Sequence, residues 1–125
     1  MIMKKDFINI IKEGADLSDT SFIYIGRPSK FKNPFPTKPS KFSTLKYSHE
    51  ESMKMFYKYF EKEITTNEEL KKYIKNKLEE VNNFTLSCFC IHKSFTKKDY
   101  DNFNILDTTC HGEIISFFIF KYFLL

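Results

Sequence analysis

All three cysteines of the chain lie in its C-terminal third: Cys88 and Cys90 two positions apart, and Cys110 directly before His111. Thiolate and imidazole are zinc ligands, and Cys88, Cys90, Cys110 and His111 together would supply the four ligands of a structural zinc site. Two other uses compete with zinc. Free cysteine packs in cores as a small apolar residue, which suits Cys88 and Cys90. Cys110 and His111 sit where "TTCHGE" opens a helix, and there free backbone amides and the helix dipole favour a thiolate. Cys110 is then a candidate nucleophile and His111 a candidate acid or base. Gly112 allows close approach, and the amides from Cys110 to Gly112 suit a phosphate or carboxylate.

A second group of candidates lies upstream. Arg27 is the only arginine in a chain that otherwise uses lysine for positive charge. Its planar guanidinium grips phosphate or carboxylate through two parallel hydrogen bonds, which lysine cannot copy; the structural alternative is an arginine paired with a carboxylate to hold its loop. Arg27, Lys30, Lys32, Lys38, Lys41 and Lys46 follow one another with no carboxylate between them. Gly26, Arg27, Ser29, Lys30 and Asn33 are the candidate ligand-binding residues here, although Asn33 in "KNPF" also suits a turn. Phe31, Phe35 and Phe42 alternate with the lysines, a pattern fit for stacking on bases and touching phosphates of single-stranded nucleic acid.

These residues need elements to position them. "DFINII" and "SFIYIG" read as strands separated by turn formers. The segment 27–47 holds all four prolines and is predicted to be a long basic loop. "SHEE" at Ser48–Glu51 is a capping box, and Met53, Phe56, Tyr57, Phe60 and Ile64 recur at helical spacing. "TNEE" repeats the signature at Thr66, with Leu70, Tyr73, Ile74, Leu78 and Val81 as the next stripe. "NNFTLSCFCI" reads as a turn and a third strand, with Phe84, Leu86, Cys88 and Cys90 on one face. A polar inserted loop at 92–107 follows, then an apolar helix from "TTCHGE" onward, covered on both sides.

The order β-β-α-α-β-α predicts a small α/β fold in one domain over 1–125, a mostly parallel sheet flanked by helices. In such sheets ligands sit beyond the carboxyl ends of the strands. "GRPSK" follows the second strand and "CFCIHK" continues the third, so both are expected in one crevice.

Composition narrows the class. A net charge of +4 is mildly basic and permits a polyanionic partner, short of the excess usual in duplex binders. The opening "MIMKKDFINII" lacks the apolar length of a signal peptide. The run from Ile114 to Leu125 is far shorter than the roughly 20 residues that span a bilayer, so no membrane partner is expected. An odd number of cysteines argues against a secreted disulfide framework and for the cytoplasm.

In sequence order, "YIGRPSKFKNPF", an amphipathic helix, "LSCFC" and "CHGEII" form a pattern that resembles domain-of-unknown-function family 4326, found in phages, viruses and bacteria. The resemblance carries Gly26, Arg27, Asn33, Pro34, Phe35, Cys88, Cys90, Cys110, His111 and Gly112 onto the family pattern. It implies that the arginine loop and the Cys-His motif belong to one grouping, in host-cell cytoplasm where the source is viral. Three positions depart: Lys32 and Asn83 stand where the family has Gly, and residues 91–109 replace a connection of only a few residues.

The resulting expectation is a ligand-processing domain that binds a nucleotide-like or other anionic small molecule between the Arg27 loop and the Cys110–His111 helix start. The alternatives are a nucleic-acid-binding accessory protein and a structural zinc module for protein interaction.

Overall fold

In a strand every second side chain faces the same way, and Ile8 and Ile10 are buried while Asn9 between them is half-exposed. In a computed structural model of the chain, residues 7–12, 23–24, 34, 47–80, 85–88 and 93–124 are described. Strand β1 (Phe7–Lys12) pairs in parallel with β3 (Thr85–Cys88) and antiparallel with β4 (Lys93–Thr96), and β2 (Ile23–Tyr24) pairs in parallel with β3. The order across the sheet is β2-β3-β1-β4. Register sets Ile10 against Leu86 and Ile8 against Phe95, so these four buried side chains make one apolar face. The other face is polar where it is described: the Ser94 hydroxyl donates to Asn9 Oδ1 at 3.3 Å.

Helix α1 (His49–Thr66) starts at the capping box seen in the sequence. Ser48 Oγ accepts from the Glu51 amide at 3.1 Å, and Glu51 accepts from the Ser48 amide at 3.2 Å. Its expected stripe is buried at Met53, Phe56, Phe60 and Ile64. Helix α2 (Glu68–Glu80) buries Leu70, Ile74 and Leu78. Its cap is Asn67 and not Thr66: Asn67 Oδ1 accepts from the Leu70 amide at 3.1 Å, while the Thr66 hydroxyl turns back to the Lys62 carbonyl.

The fold is a small mixed α/β domain, and it corrects the expectation of a β-β-α-α-β-α order with a loop at 92–107. That segment holds β4, a short helix α3 (Lys97–Asp101) and a 3₁₀ turn at Ile105–Asp107. With only residues 89–92 between β3 and β4, the chain has no helical crossover to carry it back across the sheet. It must return antiparallel. The segment reads as a loop because, among the described side chains of β4, Phe95 alone is buried, too little for a period-two pattern.

Helix α4 (His111–Ile119) continues into a π-helical turn at Phe120–Leu124. It packs on β1 and on α1, and α1 carries α2. Phe56, Phe60 and Phe118 interlock at the centre, with Phe60 and Phe118 ring centres 6.1 Å apart. Among the described residues, no helix is long and apolar enough to cross a membrane.

Two predictions follow from this packing. Phe60→Ala leaves a cavity between α1 and α4 and lowers unfolding free energy by about 3–5 kcal/mol, measured by urea denaturation. The Ser48 hydroxyl, and then its amide, hold the Glu51 carboxyl below its ordinary pKa. That contribution is present above the unfolded pKa and lost as pH falls through the lower folded value. The stability gap between wild type and Glu51→Gln therefore closes on acidification, read from thermal melts across the acid range.

Candidate functional site

A helix begins with amides that have no partner within the helix, and α4 begins inside the protein. Cys110 is its N-cap, 1% exposed. Its sulfur accepts from the Gly112 amide at 3.4 Å, and its carbonyl accepts from the Glu113 amide at 3.0 Å. Glu113, 7% exposed, folds back over the same end. Its Oε1 accepts from the Thr109 amide at 2.9 Å, the Thr109 hydroxyl at 2.7 Å and the Cys110 amide at 3.2 Å. The arrangement is a capping box with sulfur where serine or threonine usually stands.

The amides expected to receive an anion are thus engaged within the chain at Cys110, Gly112 and Glu113. A carboxylate already meets the positive end of the helix. The cap is written in the sequence as Cys-x-x-Glu, the same spacing as the Ser-x-x-Glu that opens α1.

His111 is half-buried, with its ring edge-on to Phe56 at 5.3 Å and Nδ1 4.0 Å from the Cys110 sulfur. His49, not a candidate from its sequence position, joins the same region: its Nε2–H donates to the Thr108 carbonyl at 2.8 Å. This bond ties the start of α1 to the lead into α4. No sequence spacing signals it, since the two residues lie 59 positions apart.

The remaining candidates divide. Gly26, Arg27, Ser29, Lys30, Asn33 and Cys90 lie outside the described residues. Cys88 ends β3 opposite Lys12 of β1. Of the four expected zinc ligands, only Cys110 and His111 have described side chains, and that sulfur serves as a cap. Among the described residues, no three His, Cys, Asp or Glu side chains group as a metal site.

A second feature was not foreseen. The outer face of α1, the turn after α3 and Phe117 of α4 enclose an open cleft of about 820 Å³. Tyr57, Phe103 and Phe117 form its aromatic wall, with Phe103 and Phe117 stacked at 4.3 Å. Lys54 and Lys58 stand one helical turn apart on its rim.

The site and sheet together define a small mixed α/β domain whose Cys-His-Gly-Glu motif closes the end of a buried helix. Residues 8–120 match the family model described as Domain of unknown function (DUF4326), and the chain belongs to that family. No curated protein and no solved structure matches it.

The cap predicts an ordered mutant series. Glu113→Ala strands the buried Cys110 amide and costs about 1–3 kcal/mol, while Glu113→Gln keeps an acceptor and costs less. Cys110→Ala loses the cap, at about 1 kcal/mol, and Cys110→Ser retains it. Denaturant midpoints of the four variants check the order.

Proposed function

We propose that the chain is a small ligand-processing domain that binds a nucleotide-like or other anionic small molecule at the carboxyl edge of β2-β3-β1. Arg27 would grip the anion, and the start of α4 would face it. The observation that carries this reading is the shared direction of three strands. Lys12, Tyr24 and Cys88 end β1, β2 and β3 on one edge, where parallel sheets hold their ligands.

Two further points support it. Gly26 to Lys30 follow Tyr24 closely in sequence. The far end of α4 sets Phe120 against Phe95 at 5.8 Å, and Phe95 pairs with Ile8 near the amino end of β1. A helix of this length spans about 13 Å, so an α4 running along the strands from that contact would begin toward their carboxyl edge.

The filled cap shapes the chemistry. With the amides engaged, the anion is held by side chains, Arg27 first and then Lys30, Ser29 and Asn33. His111, half-exposed at the helix start, takes the acid or base role. The Cys110 sulfur, buried under the cap, reaches a ligand only when that cap opens, so its part is to position His111.

Thermal-shift measurements with ATP, NAD and sugar phosphates test the reading. A ligand at a hundred times its Kd adds about 2.7 kcal/mol of stability, which raises the melting temperature by several degrees. Arg27→Ala abolishes that shift while leaving the ligand-free melt unchanged. No stabilisation by any of these anions, or an equal shift in the variant, removes the anion site.

A further inference from the structure

The cleft on the outer face of α1 offers two kinds of recognition side by side. Its wall is a cluster of three rings: Phe103 stacks on Phe117 at 4.3 Å, and Tyr57 lies 6.3 Å from Phe103 and 6.0 Å from Phe117. All three are only half-buried, and each lines the cleft. A planar heterocycle laid on such a wall extends the stack.

The rim supplies charge and hydrogen bonds. Lys54 is paired with Glu50 at 2.8 Å, and Asp101 with Lys97 at 3.2 Å, which offsets the one carboxylate among the described residues that line the cleft. Lys58 makes no ion pair among the described residues, so its charge is available to a phosphate. Two carboxamides complete the lining with complementary groups to spare. Asn104 commits its oxygen to the Leu106 amide at 3.0 Å, which leaves its NH₂ as a donor. Asn102 commits its NH₂ to the Lys98 carbonyl at 2.9 Å, which leaves its oxygen as an acceptor. A donor beside an acceptor is what the edge of a base presents in return.

We infer that this cleft is a second binding site, for a nucleotide unit: base on the Tyr57, Phe103 and Phe117 wall, phosphate at Lys58. Its volume falls within the range of sites for small ligands. A free mononucleotide and a residue of a single strand share this chemistry. The inference stands apart from the carboxyl-edge reading, because none of its residues belongs to that site.

Amide NMR of the full chain, titrated with AMP and with a single-stranded adenine tetranucleotide, tests it. The expected result is movement of the Asn102 and Asn104 side-chain signals and of Tyr57 and Lys58 amides. Movement with AMP means that a free nucleotide suffices; movement with the tetranucleotide alone means that the strand is the ligand. Phe103→Leu keeps an apolar side chain but removes the ring, and Lys58→Glu reverses an exposed charge. Each weakens binding by about tenfold with folded spectra retained, whereas Arg27→Ala leaves the cleft titration unchanged. No movement at these residues with either probe at millimolar concentration, or undiminished affinity in both variants, overturns the inference.

Discussion

Helix α4 has almost no face for water. Gly112 to Ser116 and Phe118 to Phe120 are buried, and Phe117 is half-buried. A helix apolar all round is stable only when it is covered all round, and most of the described fold is that cover. The sheet supplies Ile8, Ile10, Leu86 and Phe95 from one side, and α1 supplies Phe56 and Phe60 from another. Tyr100 and Phe103 close over Phe117, with ring centres at 5.0 and 4.3 Å. The chain's 15 phenylalanines and lack of tryptophan suit this task, since phenylalanine brings large apolar area without a polar atom to satisfy.

Covering a helix creates a problem at its start, where amides lose water as well as partners. The Cys-His-Gly-Glu motif answers it with the sulfur of Cys110 and the carboxylate of Glu113. One turn on, the Ser116 hydroxyl donates to the Gly112 carbonyl at 2.8 Å. Among the described residues, no buried side-chain polar atom is left without a partner. The motif that first suggested chemistry therefore has a structural duty as well, imposed by the burial of α4.

How much of this was legible depends on how local each signal is. The α1 cap and its stripe at Met53, Phe56, Phe60 and Ile64 could be read because all the partners lie within a few turns. The parallel relation of β2 and β3 could be read from the helices between them. Strand β4 could not, because Phe95 is buried through its pairing with Ile8 across 87 positions, and the residues around it are polar. The cap of α3 was missed although Thr96 and Asp99 form the same box as Ser48 and Glu51, since no apolar stripe follows a helix of five residues. The aromatic cleft was out of reach for a related reason: Tyr57, Phe103 and Phe117 come from three separate segments and meet only through tertiary packing.

The cap also changes which residue types can matter for ligand recognition. A bare helix start would offer an anion several oriented amides and half a positive charge. With Glu113 folded over that end, an arriving anion meets a carboxylate instead, and the helix no longer attracts it. In the proposed reading, recognition of negative charge would then come from cations outside the helix, and of those only a guanidinium combines permanent charge with a fork that fits two anionic oxygens. On that reading, this would give a physical reason for a lysine-rich chain to keep one arginine, three positions after Tyr24 in sequence. It also separates two roles that the sequence had merged: Cys110 and Glu113 hold the helix end in place, and in the proposed reading it is the side chains around it that would meet a ligand.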